Sequence, residues 1–216
     1  MILYGMRASP FVRKVIVYAA EKGIDLDVKP AGMGRGGPEF EAASPFRKMP
    51  GFVDGDFAIS DSTAIITYLE ALRPDPVLIP SDPRERARTI WFEEFGDTIV
   101  MAVGGKIFFN RVVAKLIGME GDENVAVAAE QVELPPLLDY LERIIPESGF
   151  LVGDRFTLAD IAVTSPFVNI GSCSDGICPD RFPRACAYLA SMKSRPSFAA
   201  AIAEEQAQMA AVRSAA

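Results

Sequence analysis

The sequence predicts a two-domain α+β chain whose first third mixes strands with helices and whose remainder is all-helical. Three observations carry this. Strand and helix signals alternate over the first seventy residues, Arg73–Pro83 packs four prolines into eleven residues, and only helical patterns recur beyond it. The boundaries follow: a mixed domain over 1–77, a linker over 78–83 and a helical domain over 84–216.

Ile2-Leu3-Tyr4 reads as a short buried strand. Ser9-Pro10 opens a helix, because serine is a good N-cap and proline suits the first helical position. Phe11, Val12, Val15, Ile16 and Ala19 give that helix a broad apolar face, and Gly23 stops it. Leu26-Asp27-Val28 alternates like a strand, Gly32–Pro38 is a Gly-rich loop, and a short helix is expected around Glu39–Ala43. Gly51-Phe52-Val53 and Phe57-Ala58-Ile59 flank Asp54-Gly55-Asp56, a tight-turn signature for a hairpin. A helix over Thr63–Leu72 follows, and the order β-α-β-α-β-β-α is that of a thioredoxin-like domain. After the linker, one long helix starts near Arg84 and runs through Trp91, Phe92 and Phe95. A second covers Asn124–Ile145, with Pro135-Pro136 kinking or interrupting it. Further helices are expected over Leu158–Ile170, Pro183–Met192 and Pro196–Val212.

Composition removes several function classes. Half of the 216 residues are apolar and 24% are charged, as in a globular protein. A net charge of −7 argues against nonspecific nucleic-acid binding, which needs a basic surface. No uncharged stretch is long and clean enough to span a membrane. The N-terminal residues lack the basic lead and apolar run of a secretory signal, so a cytoplasmic location is expected. The absence of histidine excludes Ser-His-Asp and Cys-His catalysis and His-ligated metals, and no metal is expected. Cys173, Cys178 and Cys186 are read as reduced thiols, without the spacing of a zinc knuckle.

Three short segments carry chemistry. Ser9, at a helix start, lies where backbone amides converge with partial positive charge. A thiolate there is stabilised by that field and by the hydroxyl. A free thiol with a pKa of about 8.5 is only about 3% ionised at neutral pH, and lowering it by about two units takes roughly 2.7 kcal/mol. An ordinary cap would read the same. Met49-Pro50 stands before a strand, where a cis bond would turn the Met49 backbone outward to pair with an extended peptide; a plain loop proline is the alternative. Ser62 reads as an N-cap whose hydroxyl and first amides could hold a carboxylate, with Asp61 beside it to receive an ammonium; capping alone is again the alternative.

Ala8-Ser9-Pro10-Phe11-Val12-Arg13-Lys14-Val15, Arg47-Lys48-Met49-Pro50-Gly51 and Asp61–Glu70 stand in the order and spacing of a cytosolic glutathione transferase, which the chain resembles over nearly its whole length. The first segment looks most like the serine-type, tau-like enzymes. The resemblance implies the glutathione transferase fold, with Ser9 as the catalytic residue and Phe11, Lys48, Met49, Pro50, Asp61 and Ser62 binding glutathione. Lys48 and the Met49 backbone would hold the glycyl and cysteinyl parts, and Asp61 and Ser62 the γ-glutamyl end. It also implies a homodimer, a detoxification role and a small hydrophobic electrophile as the second substrate. Gly149–Ala162 resembles the family's helical-domain motif, in which Thr157 and Asp160 read as a capping box and Phe156 and Ile161 as a hydrophobic staple. Met49 and Asp61 depart from the family's usual Val or Ile before the proline and Glu before the serine.

Met6, Arg7, Phe108 and Arg111 are candidates for walls around the second substrate, with Phe109 beside them. Arg111 would favour an anionic or electron-withdrawing group. Tyr4 is a rival hydroxyl, although its register in an apolar strand favours core packing. Redox relatives carry Cys where Ser9 stands, and serine cannot form a mixed disulfide. The alternatives to conjugation are a noncatalytic binding module, or another glutathione-dependent reaction such as peroxide reduction, ether cleavage or isomerisation.

Overall fold

In a computed structural model of the chain, residues 1–32, 34 and 36–214 are described. The first seventy-odd residues form β1 (Ile2–Tyr4), α1 (Pro10–Glu21), β2 (Asp27–Lys29), α2 (Gly37–Ala43), β3 (Gly51–Asp54), β4 (Phe57–Ser60) and α3 (Ser62–Leu72). This is the predicted order. The Gly-rich loop expected over Gly32–Pro38 includes positions 33 and 35, which lie outside the described residues, and α2 already begins at Gly37.

The sheet order is β2-β1-β3-β4. β1 pairs with β2 in parallel, which requires a crossover, and α1 supplies it. β3 pairs antiparallel with β1 and with β4, the latter through the hairpin. Leu3, Phe52, Val12, Val15, Ile65, Ile66 and Leu69 are all fully buried, so strand alternation and the apolar faces of α1 and α3 build one core. Tyr4, Ala31 and Phe40 form a second buried cluster. The proline-rich stretch after α3 is tied back by the buried Lys22, whose ammonium donates to the carbonyls of Pro74 at 3.0 Å and Pro76 at 2.5 Å and pairs with Glu70.

The helical region begins with α4 (Pro83–Glu94), capped by the Asp82 carboxylate. It continues through a π-helical stretch (Phe95–Val100), α5 (Met101–Phe108), a second π stretch (Phe109–Val113) and α6 (Ala114–Leu116). α7 (Glu123–Ala128), a third π stretch (Ala129–Glu133) and α8 (Leu134–Ile144) form the next run. Its register changes just before Pro135-Pro136, because prolines lack the N–H groups that would bond back into the preceding turn. α9 (Leu158–Cys173) is the central helix, buried without a break from Leu158 to Phe167, as expected of a helix apolar on most sides. Gly96 lets it approach: a Cβ there would meet the Ala162 carbonyl oxygen at 2.5 Å. α10 (Pro183–Ser194) and α11 (Pro196–Ser214) complete the chain.

Two compact units result, Met1–Leu78 together with α11, and Ile79–Arg195. The last helix thus packs with the mixed unit, against α1, although its sequence reads as a continuation of the helical region. Among the described residues no helix is long and apolar enough to cross a membrane.

Candidate functional site

Sheet register brings the three chemistry-bearing segments together. Tyr4 ends β1 opposite Gly51, which starts β3, and Gly51 stands opposite Ser60, which ends β4. The chain leaving β1 toward Ser9, the chain entering β3 through Met49-Pro50, and the chain leaving β4 into Asp61-Ser62 therefore emerge side by side at one end of the sheet. From β1 to β4 is two strand spacings, about 10 Å, close to the extended length of a tripeptide.

At β1, Gly5 permits close passage against α1, since a Cβ there would clash with Val12 Cγ2. The chain then turns, with the Ser9 N–H donating to the Met6 carbonyl at 2.9 Å. Ser9 is the N-cap of α1 in extended conformation, and it is half-buried. Its hydroxyl makes no capping bond and has no partner among the described residues. Pro10 carries no N–H, and the first i→i−4 bond of the helix runs from the Arg13 N–H to the Ser9 carbonyl at 2.9 Å. The amides of Phe11 and Val12 thus precede the helical ladder, at the positive end of the helix. Phe11 itself is half-buried.

The Met49–Pro50 peptide is cis, Pro50 is buried, and Met49 is half-buried. The turn before it is braced by the Ser44 hydroxyl, which donates to the Lys48 carbonyl at 2.6 Å. The N–H and C=O of Met49 have no hydrogen-bond partner among the described residues. The Lys48 side chain is exposed.

At the third segment the sequence reading needs correction. Asp61, not Ser62, is the N-cap of α3: its Oδ1 accepts from the amides of Thr63 at 2.9 Å and Ala64 at 3.1 Å. Aspartate outcompetes the serine because the chain enters the helix through Asp61 in a left-handed conformation, φ 84°, leaving Ser62 as the first helical residue. Ser62 is buried, and its hydroxyl has no partner among the described residues. A non-glycine residue held at positive φ is a local strain that tertiary structure must maintain.

Several of the other candidates have partners of their own. Tyr4 is buried, and its hydroxyl donates to Glu39 at 2.7 Å. That bond to a carboxylate, then burial, push its pKa up to about 12. Met6 is half-buried in the Ser9 turn, and the Arg7 guanidinium pairs with Glu204 at 2.5 Å. Phe108 is half-buried on α5 and Phe109 is 41% exposed. Arg111, read as a cation for the substrate, is committed inside the helical unit. It pairs with Glu123 at 2.8 Å and Glu130 at 2.7 Å and donates to the Cys173 carbonyl at 2.9 Å. Those hydrogen bonds raise its pKa further, and Arg111 holds Glu130 down at about 2. A polar cleft of about 720 Å³ opens there, beside Arg111, Cys173, Cys178 and Arg181, and includes none of the residues around Ser9. All three cysteines are free.

Sequence reasoning missed Glu39, which occupies Tyr4, and the three α11 residues Glu204, Glu205 and Gln208, which hold Arg7 and Arg13. Only the polar spacing of the last three on an Ala-rich helix hinted at a partner, and nothing in it named α1.

Comparisons with known proteins agree with this arrangement. The family described as glutathione S-transferase, N-terminal domain, matches residues 3–77, and its C-terminal counterpart matches residues 111–205. A glutathione S-transferase of Hyoscyamus muticus is 32% identical over 214 residues, covering 95% of this chain and 99% of that protein. Glutathione S-transferase F7 of Arabidopsis thaliana is 30% identical, covering 90% and 95%. The crystal structure of a glutathione S-transferase from Rhodospirillum rubrum F11 superposes with a TM-score of 0.83 at 27% identity, over 91% of this chain and 89% of that one. With both domains matched and full-length relatives at this identity, the chain belongs to the glutathione S-transferase family.

Proposed function

We propose that the protein conjugates glutathione to small apolar electrophiles, with Ser9 activating the thiol. One observation carries the reading. At one end of the sheet lie, side by side, an unspent serine hydroxyl at a helix start, a Met49 main chain without a partner among the described residues, and the Asp61-Ser62 corner. The residues fit the tripeptide. Met49 N–H and C=O pair with the cysteinyl main chain as an added strand would. Lys48 faces the glycyl carboxylate, the Ser62 hydroxyl takes the γ-glutamyl carboxylate, and Asp61 takes its ammonium through the oxygen not spent on capping. Pro50 shapes the bend, and Phe11 contributes its amide beside the sulfur.

Ser9 then donates its O–H to the sulfur, and the α1 amides add their partial positive charge. Together they favour the thiolate, whose proton leaves to solvent. The thiolate forms a carbon–sulfur bond as the electrophile's leaving group departs with the bond's electron pair, or as a conjugated double bond takes the electrons up. The chain's contribution is thiolate stabilisation and positioning. Ser9→Ala should lower turnover with a model electrophile by about ten-fold or more. Unchanged turnover would move the role to backbone amides or to Tyr4.

The working form we propose is a homodimer, the first unit of one copy meeting the helical unit of the other. Phe46, 86% exposed on the loop before β3, supports this as an apolar anchor.

A further inference from the structure

The turn that carries Ser9 is held from outside itself. The Met6 N–H points at Met49 Sδ, 3.3 Å away, and the Arg7 N–H donates to Gln208 Oε1 at 3.2 Å. The Arg7 side chain reaches the same helix through Glu204. Four residues past Ser9, the Arg13 side chain is only 1% exposed; its Nε donates to Glu205 Oε2 at 3.0 Å, and a second guanidinium N–H reaches the same oxygen. Positions 204, 205 and 208 share one face of α11. At the other end of the pair, the Ser197 hydroxyl donates to Glu21 Oε1 at 2.5 Å. α11 therefore runs antiparallel along α1, from its last residue to the turn before its first, and grips the chain on both sides of Ser9.

We propose that α11 is a positioning element for the thiol-activating turn, with Gln208, Glu204 and Glu205 as positioning residues that fix where the Ser9 hydroxyl points. The proposal rests on the Ser9 reading above. Its physical basis is aim: a hydrogen bond weakens steeply as its angle closes below about 120°, and misplacing a reacting group by about 1 Å can cost up to about a hundred-fold in rate. Two side-chain acceptors distant in sequence, Met49 Sδ and Gln208 Oε1, hold neighbouring amides of one short turn. The Met49 thioether is the residue that departs from the family's usual Val or Ile, neither of which could accept that bond. Glu205 is a poor probe, since its removal would take a carboxylate from the buried Arg13. Gln208 is half-buried and can be replaced by methionine, which keeps the shape and loses the strong acceptor.

The test uses the full-length protein and glutathione itself. Gln208→Met should keep the thermal midpoint within about 3 °C of wild type. It should raise the pKa of the bound thiol, followed by thiolate absorbance against pH, by about half a unit, a three-fold loss of thiolate on the acidic side. It should also lower kcat more than it changes KM for glutathione. A bound-thiol pKa equal to wild type, both in Gln208→Met and in Glu204→Gln/Gln208→Met, would overturn the proposal and leave α11 as packing. Ser9→Ala in parallel separates the two readings: a thiol pKa unmoved by that change sinks the Ser9 assignment and α11's positioning role with it, whereas a shift in Ser9→Ala alone sinks only the latter.

Discussion

Ser9 and Tyr4 offer two hydroxyls within six residues of each other, and their surroundings differ. Tyr4 already donates to Glu39, and a phenol pushed up to about 12 gives up its proton reluctantly. To reach a sulfur it would have to abandon a charge-assisted bond to Glu39. Ser9 gives up nothing. Tyr4→Phe should therefore keep turnover within about three-fold of wild type while lowering stability by about 1 kcal/mol, read by chemical denaturation. A ten-fold fall in turnover with glutathione binding intact would transfer the activating role to Tyr4. Strand alternation alone placed Tyr4 in the core. It could not tell an unspent Ser9 from an ordinary cap, because both have the same sequence and differ only in where the hydroxyl points. Arg111 was harder still: its partners Glu123 and Glu130 lie 12 and 19 positions on, across a helix reversal, so a committed ion pair reads locally as a lone cation.

Among the elements, those with strong punctuation were legible: Ser-Pro before α1, Asp-Gly-Asp in the hairpin, the prolines before α4. The π-helical stretches were not, because a one-residue change of helical register leaves composition and apolar spacing almost unaltered. The start of α9 shows what a legible cap is worth. Asp160 is buried and accepts from the amides of Leu151 at 3.0 Å and Thr157 at 2.9 Å, from the Tyr188 hydroxyl at 3.0 Å and from the Thr157 hydroxyl at 3.3 Å. Burial raises its carboxyl to about 6 from 3.8, against the pull of those donors. A folded-state pKa above the unfolded one means the native state binds the proton more tightly. The group's contribution is therefore fully present below about pH 4 and is lost as pH rises through about 6. Relative to Asp160→Asn, which cannot ionise, wild type should lose up to about 3 kcal/mol between pH 4 and pH 7, measured by urea denaturation at each pH. A constant difference across that range would mean that the four donors outweigh burial and the carboxyl stays ionised.

At the scale of the whole molecule, sequence order and packing part company. α11 follows the helices of the second unit in the chain and reads like them, yet its polar face answers Arg7 and Arg13 and its partner is α1. Pattern reading assigns an element to its neighbours in sequence, and only long-range contacts could return this one to the first unit. The same scale governs the proposed homodimer. Each copy carries a charge of −7, so two copies repel at long range and need a contact made of apolar surface, whose pull is short-ranged and insensitive to charge. Phe46, 86% exposed, is the most exposed large apolar side chain of the described residues, while Trp91 and Ile99, each 47% exposed, offer apolar surface on the long helical run. Burying one phenylalanine stabilises by about 1.5–3 kcal/mol, and a symmetric dimer gains it twice. Phe46→Asp removes both gains and adds two charges to the contact. It should raise the dimer dissociation constant by at least about a hundred-fold in sedimentation velocity, with the monomer's circular dichroism unchanged. Added salt, by screening the mutual repulsion, should tighten the proposed dimer and should not rescue the variant, because what the variant lacks is buried surface. A Phe46→Asp protein that sediments like wild type at every concentration would place the anchor of the assembly elsewhere on the surface.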